Sequence, residues 1–283
     1  MINHKIKALV IGLLITMLGG CKVINPSYVD DDIGKKYNNI LTIDGSTSMT
    51  KLCNSLGEVF MSQYPGTSVE KLDTGSSASV ESVIDGSSQI GALSRKLNNR
   101  EPIDKLNVIK IADDGICIIV NKDNAVNDLS KEEIYQIFTK SITNWKELNG
   151  KDEKIVLIGR EEASGTKDGF EESFNLVGKC KYDAIFSESG DILSQVGSDE
   201  NSIGYVSMAS KSDNVKIVSI DGIEPTFDNI EKGIYPVVRP FIMIYMNNNR
   251  NPLISKWFDF VFSEKGKEII KKEGFIVKGD AYE

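Results

Sequence analysis

Apolar residues in this chain form short runs, each followed by a polar stretch rich in glycine and hydroxyl side chains and then by a helical pattern. The first example is the strand-like run 39–43, followed by Gly45–Ser48. Beyond it, apolar residues recur at the i, i+3, i+4, i+7 spacing of an amphipathic helix, at Met49, Leu52, Cys53, Leu56 and Phe60. The pattern predicts a strand, a loop and a helix in that order.

The same order occurs twice more. The stretch Gly75–Ser79 follows a strand-like run at 69–73, and Arg160–Thr166 follows another at 155–158. The apolar positions of the predicted helices are Val80, Val83 and Ile84 in one case and Phe170, Phe174 and Val177 in the other. All three polar stretches are therefore predicted to lie at helix starts.

Helix starts rich in hydroxyls are candidate anion sites, because unpaired backbone N–H groups and the helix dipole favour negative charge there. Taken singly, each stretch is more often an ordinary helix cap without a ligand, and Arg160 is more often a solvated surface residue. A cap needs only one hydroxyl, however, whereas these stretches offer two or three apiece, and Arg160 lies four residues before Ser164. Together they predict one small, multiply oxygenated anion in a deeply enclosed site.

The remaining patterns predict an α/β protein. A capping box at Ser130–Glu133 starts a helix that ends near 139–141, Asn251 and Pro252 open another, and Gly274 closes one that begins near Ser263. The aromatic face of the helix after Pro252 is interpreted as core packing. Alternation of strands and helices favours largely parallel sheets and, over about 245 residues, two lobes.

The N-terminus has the features of a cleaved export signal. Two lysines precede an apolar run from Ala8 to Leu18, which is too short to cross a bilayer, and small residues lead into Cys21. This arrangement resembles the lipobox of bacterial lipoproteins, which implies lipid attachment at Cys21. Residues 22–38 are polar and are interpreted as a hydrated tether, which argues against a buried core helix here.

Charge and composition exclude several classes of function. Removal of residues 1–20 would take away two lysines and no acid, so the formal charge would change from −8 to −10. Nucleic-acid binding, which needs a clustered basic surface, is not expected. The one histidine, His4, lies in the export signal, so histidine-dependent nucleophiles and the commonest zinc ligand are missing from the mature chain. Neither a metal nor a cofactor is expected, although catalysis by carboxylates alone stays open.

The chain resembles the substrate-binding lipoproteins of bacterial phosphate (Pst) ABC transporters, a family of type II periplasmic binding proteins. The resemblance covers nearly the whole mature chain. It depends on the order and spacing of these segments: 45–48, 74–77, 90–95, 137–145, 160–166, 203–206 and 235–240.

The family fold implies two α/β lobes with mostly parallel sheets and the ligand in the cleft between them. The implied division is a signal peptide at 1–20, the lipidated cysteine and tether at 21–38, lobe one at 39–113 plus 239–283, and lobe two at 114–238. Two crossover strands would fall near 112–115 and 236–240. Hinge closure around the ligand is a property of the family.

The resemblance also implies a set of ligand contacts. Arg160 would supply a two-pronged charged donor and Gly165 a close backbone approach. The other ligand-binding positions implied are Thr47, Ser48, Ser76, Ser94, Arg95, Ser164 and Thr166. Supporting roles fall to Ser46 and Ser77, and to Glu162 as the carboxylate that orients the arginine.

One position departs from the family pattern. Many relatives have an aspartate that accepts the proton of HPO₄²⁻ and so rejects sulfate, whereas this chain has Ser94, followed by Arg95. A hydroxyl donates as well as accepts, so rejection of sulfate is expected to be weaker. Arg95 is expected either to add a second positive charge to the site or to pair with a nearby acid.

The leading hypothesis is therefore a receptor, not an enzyme, which captures inorganic phosphate outside the cell. It would be a monomer, lipid-anchored to the cell membrane, and would deliver phosphate to the permease subunits of an ABC transporter with a cytoplasmic ATPase. The alternatives are a binding protein for sulfate, molybdate or an organic phosphate, an anchored phosphoesterase that uses acidic residues, and an adhesive module without a ligand.

Overall fold

The computed structural model describes residues 39–210 and 212–277. The predicted export signal at 1–20 and the tether at 21–38, including Cys21, lie outside these ranges. Within them, no helix is long and apolar enough to cross a membrane.

Strands and helices alternate along the described chain, as the apolar patterns predict. The strands are β1 (Ile40–Gly45), β2 (Ser68–Leu72), β3 (Ile90–Leu93), β4 (Leu106–Asn121), β5 (Asp128–Leu129), β6 (Val156–Arg160), β7 (Ala184–Phe186), β8 (Ser202–Ser207), β9 (Val215–Ile220) and β10 (Val238–Met246). The α-helices are α1 (Thr50–Gln63), α2 (Ser76–Asp85), α3 (Lys131–Phe138), α4 (Gly165–Ser173), α5 (Ser189–Ser198), α6 (Phe227–Glu231), α7 (Pro252–Val261) and α8 (Glu264–Lys272).

The sheet runs in the order β2-β1-β3-β10-β4-β8-β6-β7, with β9 beside β4 and β5 beside β9. Its two flanks are parallel, since β1 pairs with β2 and β3, and β6 pairs with β7 and β8. The centre is antiparallel, because β10 runs against β3 and β4, and β4 runs against β8 and β9. The fold is therefore α/β with parallel sheets joined through an antiparallel middle.

β4 is the long strand that connects the two halves of the sheet. Its residues 106–115 pair with β10, whereas residues 116–121 pair with β8 and β9. The change of partner coincides with a change of hydrophobic core. Ile111 and Ala112 belong to one core, and Ile116 belongs to the other.

These two cores define two lobes. The core of the first lobe includes Leu41, Leu56, Phe60, Phe241 and Trp257. The core of the second lobe includes Phe138, Trp145, Phe170, Tyr205 and Val237. The predicted boundaries of the lobes remain a prediction, and Ile276, near the end of the described chain, packs into the second core.

Local sequence signals account for the helix boundaries. Ser130 and Glu133 form the predicted capping box at the start of α3. The side chains of Asn251 and Ser263 cap α7 and α8, and Gly274, with φ of +97°, follows the end of α8. Serine and asparagine stabilise helix starts because their side-chain oxygens accept hydrogen bonds from backbone N–H groups that have no partner within the helix.

The apolar patterns include two positions that the structure leaves exposed. Ile84 and Val177 are apolar positions of the predicted helices, but they are 40% and 64% exposed. Asn175 has φ of +53° just after α4, which ends the helical period, and Leu176 is buried there instead.

Replacement of Ser130 by alanine should destabilise the protein by about 1 kcal/mol, because the backbone N–H of Glu133 would lose its side-chain acceptor at the start of α3. Urea denaturation measures the change in the free energy of unfolding. Lys131→Ala, an exposed change in the same helical turn, is the control and should have little effect. Equal effects of the two substitutions would contradict a capping role for Ser130.

Candidate anion-binding site

The first polar stretch begins where β1 ends. Gly45 has φ of +142°, and a Cβ atom there would lie 2.0 Å from the backbone oxygen of Ala92, so only glycine fits. The N–H of Ser46 donates to that same oxygen at 2.8 Å. This contact holds the 3₁₀ turn Thr47–Met49, and the α1 helix that follows it, against the end of β3.

The second and third stretches start helices α2 and α4. Ser76 is the first residue of α2, and Ser164 caps α4, where its Oγ accepts a hydrogen bond from the N–H of Lys167 at 3.3 Å. Gly165 and Thr166 form the first turn of α4. Each helix therefore begins at the predicted polar stretch.

These helix starts approach one another across the two lobes. A Cβ atom on Gly165 would lie 2.4 Å from Ser76 Oγ and 2.6 Å from Ser94 Oγ, and one on Gly75 would lie 2.7 Å from the backbone oxygen of Ala163. The N–H of Ser77 donates to that oxygen at 3.4 Å. The two lobes thus come close enough at both glycines to exclude even a methyl group.

Hydroxyl groups from both lobes meet at this junction. Ser48 Oγ lies 2.8 Å from Thr166 Oγ1, which joins the start of α1 to the start of α4. Ser94 Oγ lies 2.8 Å from Ser46 Oγ and 3.4 Å from Ser76 Oγ. All five side chains belong to buried residues. A hydroxyl both donates and accepts, so this cluster is able to hydrogen-bond to an oxyanion.

Arg160, at the end of β6, supplies a buried positive charge and is only 3% exposed. Its Nη1 donates to Ser189 Oγ at 2.9 Å, and its Nη2 donates to Thr47 Oγ1 at 3.1 Å and to the backbone oxygen of Ser187 at 2.5 Å. Nε donates to the backbone oxygen of Phe186 at 3.3 Å. All of these acceptors are neutral.

The charge of Arg160 consequently has no carboxylate counterpart at contact distance within residues 39–210 and 212–277. Burial lowers the pKa of the Arg160 guanidinium, and the nearby charge of Arg239 acts in the same direction. A guanidinium stays protonated in proteins all the same. Burial of a cation without a negative charge beside it is costly in free energy, and a bound anion would relieve that cost.

A chain of tyrosines supports the backbone of Arg160. Its N–H donates to Tyr205 Oη at 3.2 Å, and Tyr205 Oη lies 3.1 Å from Tyr182 Oη. Tyr182 in turn donates to Glu171 on α4 at 3.1 Å. The Tyr205 ring stacks on Phe170 of the same helix, so β6, β8 and α4 are fixed relative to each other.

Two of the implied site residues have other partners. Glu162 is paired with Lys167 and its side chain is 93% exposed, so backbone oxygens, not this carboxylate, orient Arg160. Arg95 pairs with acids: its Nη atoms bind Glu101, and its Nε lies 2.8 Å from Asp168. Of the two expectations for Arg95, the observed one is the pairing with nearby acids.

Ser189 contacts Arg160 and Thr47 at the junction, and the sequence patterns did not predict it. It is the first residue of α5, and its Oγ lies 3.3 Å from Thr47 Oγ1 as well as 2.9 Å from Arg160 Nη1. The pattern of the other three polar stretches occurs here too, since Ser187–Gly190 follows the apolar strand β7 and runs into the start of α5. A fourth helix start thus joins the junction.

The described part of the chain has no cluster of three or more His, Cys, Asp or Glu side chains placed to hold a metal ion. The junction instead consists of hydroxyls, backbone N–H groups and one guanidinium. Such donors suit an oxyanion.

Asp168, in the first turn of α4, should titrate unusually. Its burial raises the pKa to about 6, although Arg95 and Lys167 act in the opposite direction. In an unfolded chain the carboxyl titrates near pH 3.9. The folded protein therefore holds this proton more tightly, and the stability that it contributes is present below about pH 4 and is lost as the pH rises through about 6.

NMR titration of the Asp168 carboxyl carbon should accordingly give a midpoint near pH 6. The free energy of unfolding of the wild type, relative to Asp168→Asn, should fall between about pH 4 and pH 6. A midpoint near pH 4 would contradict the burial of this carboxylate.

Comparison with known proteins places the chain in a family. Residues 31–265 match the model of the PBP superfamily domain. The phosphate-binding protein PstS of Bacillus subtilis is 32% identical over 247 residues, which cover 86% of this chain and 82% of that relative.

Solved structures of other proteins resemble this chain in both sequence and fold. One from Clostridium perfringens, assigned as a phosphate ABC transporter substrate-binding protein and containing bound phosphate, is 39% identical with a TM-score of 0.82, over 84% of this chain and all of that one. An ABC-type phosphate transport receptor from Vibrio cholerae is 31% identical with a TM-score of 0.72, over the same shares of the two chains. The chain therefore belongs to the PBP superfamily and, within it, to the family that includes the phosphate-binding proteins PstS.

Proposed function

We propose that this protein captures inorganic phosphate and delivers it to the permease of an ABC transporter. The observation that carries the proposal is the buried Arg160, whose charge is surrounded by neutral acceptors where four helix starts meet. A phosphate dianion would neutralise that charge and accept hydrogen bonds from the surrounding groups. The relatives described as phosphate-binding support this identity of the anion.

The proposed ligand-binding residues come from both lobes. Arg160 would bind two phosphate oxygens, and Gly165 would let the backbone of α4 approach closely. The remaining donors would be Thr47, Ser48, Ser76, Ser94, Ser164 and Thr166. Ser46 and Ser189 contact these groups, and Ser77 donates to the backbone oxygen of Ala163 beside Ser164, so all three would hold the donors in place.

The proposed role is binding, without chemistry on the ligand. Residues 39–210 and 212–277 contain no histidine, and the junction has no nucleophile paired with a base. Cys21 would carry a lipid that anchors the protein outside the cytoplasmic membrane. There it would act as a monomer beside the permease and its cytoplasmic ATPase.

A second candidate function, binding of another tetrahedral oxyanion such as sulfate, is favoured by Ser94. This residue contributes a hydroxyl to the junction, and the carboxylates nearby pair with Lys167 or Arg95. Without a carboxylate to accept the proton of phosphate, rejection of sulfate would be weaker. Competition of sulfate against phosphate in calorimetry tests this candidate, and equal potency would overturn phosphate as the specific ligand.

Replacement of Arg160 by alanine should weaken phosphate binding by about 1.5–3 kcal/mol, about ten- to a hundredfold or somewhat more, because a charged two-pronged donor is lost. Isothermal titration calorimetry measures the Kd. Arg100→Ala removes the same charge from an exposed position and is the control. An unchanged Kd in the Arg160 variant would rule out this site.

Replacement of Gly165 by alanine should also weaken phosphate binding, because the new methyl group would collide with Ser76 and Ser94 of the opposite lobe. We expect a loss of about 1–3 kcal/mol, the usual cost of overpacking, which corresponds to about five- to a hundredfold in Kd. Gly190→Ala, in the first turn of α5, has open space around it and is the matched control. Similar Kd values for the two variants would contradict close contact between the lobes at Gly165.

A further inference from the structure

Arg95 is a buried arginine next to the site. Its guanidinium contacts carboxylates, a hydroxyl and a backbone oxygen. Its guanidinium is fixed within the first lobe, where Nη1 and Nη2 bind the two oxygens of Glu101 at 3.0 and 2.7 Å. Nη2 also donates to Ser77 Oγ at 3.0 Å, and Nη1 to the backbone oxygen of Lys96 at 2.9 Å. A two-pronged contact of this kind fixes both position and orientation.

The third nitrogen of this guanidinium, Nε, is buried without a well-aligned hydrogen bond, and its close contact with the second lobe is an ion pair. Nε lies 2.8 Å from Asp168 Oδ2, in the first turn of α4. Asp168 comes two residues after Thr166, whose hydroxyl meets Ser48. The ion pair therefore crosses between the lobes within one helical turn of the proposed phosphate site.

The carboxylate of Asp168 is unfavourable at this position. Burial removes water from it, as its raised pKa indicates, and the negative charges of Glu171 and Glu172 lie on the same helix. It would also stand near a bound anion of the same sign. The positive charge of Lys167 partly offsets these negative charges, but its Nζ pairs with Glu162 and lies 3.8 Å from Glu171.

We propose that Arg95 is a positioning residue which neutralises Asp168 when the two lobes close over the anion. Glu101 and Ser77 hold the guanidinium ready in the first lobe, and closure brings Asp168 against it. Arg95 thereby favours the closed form without touching the phosphate, and it slows phosphate release. This inference rests on the proposed function, because it concerns closure around that ligand.

The pair contributes to affinity only through the difference between the open and closed forms. A contact made within one lobe exists in both forms and changes stability without changing ligand affinity, whereas a contact made on closure appears in the Kd. The proposal therefore predicts energetic coupling between Arg95 and Asp168 in phosphate binding. Most of it should appear in the rate of release, as is usual for contacts that hold a complex together.

A double-mutant cycle tests the inference. Arg95→Gln should weaken phosphate binding about five- to fiftyfold, mainly through faster release, because Asp168 would lose its counter-charge on closure. Adding Asp168→Asn to Arg95→Gln should recover much of this loss. The same Asp168→Asn change in the wild type should improve binding less, or weaken it. Calorimetry gives the Kd, and stopped-flow displacement gives the release rate.

Glu172→Gln is the matched control, since it removes the same charge from an exposed position one turn further along α4. Its rescue of Arg95→Gln should be much smaller than that by Asp168→Asn, because Glu172 is exposed and acts on Asp168 only through space. Should Arg95→Gln fail to fold, Arg95→Lys replaces it, because a lysine cannot bind Glu101 in two-pronged fashion and reach Asp168 at the same time. Melting temperatures without phosphate identify any effect on stability alone.

The outcomes separate the two proposals. If the wild-type protein binds no phosphate, the proposed function fails and the inference fails with it. If the wild type binds phosphate but Asp168→Asn improves Arg95→Gln and the wild type equally, the role of Arg95 is overturned and the function stands. A rescue confined to the Arg95 variants supports the inference.

Discussion

The buried charge of Arg160 is the constraint on which the rest of this structure depends. A guanidinium removed from water needs acceptors at every face, and here they are backbone oxygens and hydroxyls from two segments that are distant in sequence, at Thr47 and at 186–189. Both segments lead into helix starts, where a chain presents hydroxyls together with unpaired N–H groups. The order of strands in the sheet brings the ends of β1, β3, β6 and β7 to one junction.

The link between the lobes is a second constraint. Asp114 on β4 and Arg239 on β10 are direct neighbours in the sheet, and they form a fully buried ion pair at 2.8 Å that also receives the hydroxyl of Ser207. The pair lies between the two hydrophobic cores, where β4 changes partners. Removing one member of such a pair typically costs about 3–5 kcal/mol, because the other is left charged and buried. Burial raises the pKa of Asp114 despite the attraction of Arg239.

Much of the fold and the candidate site follows from the sequence, because both arise from local patterns. The helix starts at Ser76 and Ser164 lie where a polar stretch meets an apolar period, and the capping box at Ser130 is formed as predicted. What could not be predicted depends on contacts between distant segments. Neither the partners of Arg95 nor the exposed position of Glu162 has a local signature, since each is decided by which acids and bases the fold brings close. Ser189 has the same local signature, since Ser187–Gly190 offers two hydroxyls, as many as Arg160–Thr166.

The glycines at the junction have a mechanical consequence. Gly75 and Gly165 face the opposite lobe with main chain alone, at separations that leave no room for a methyl group. A side chain in that position would turn to another rotamer and yield under load, whereas a peptide plane does not. At Gly75 the two lobes therefore meet main chain against main chain, and their separation at that point is set by rigid peptide planes.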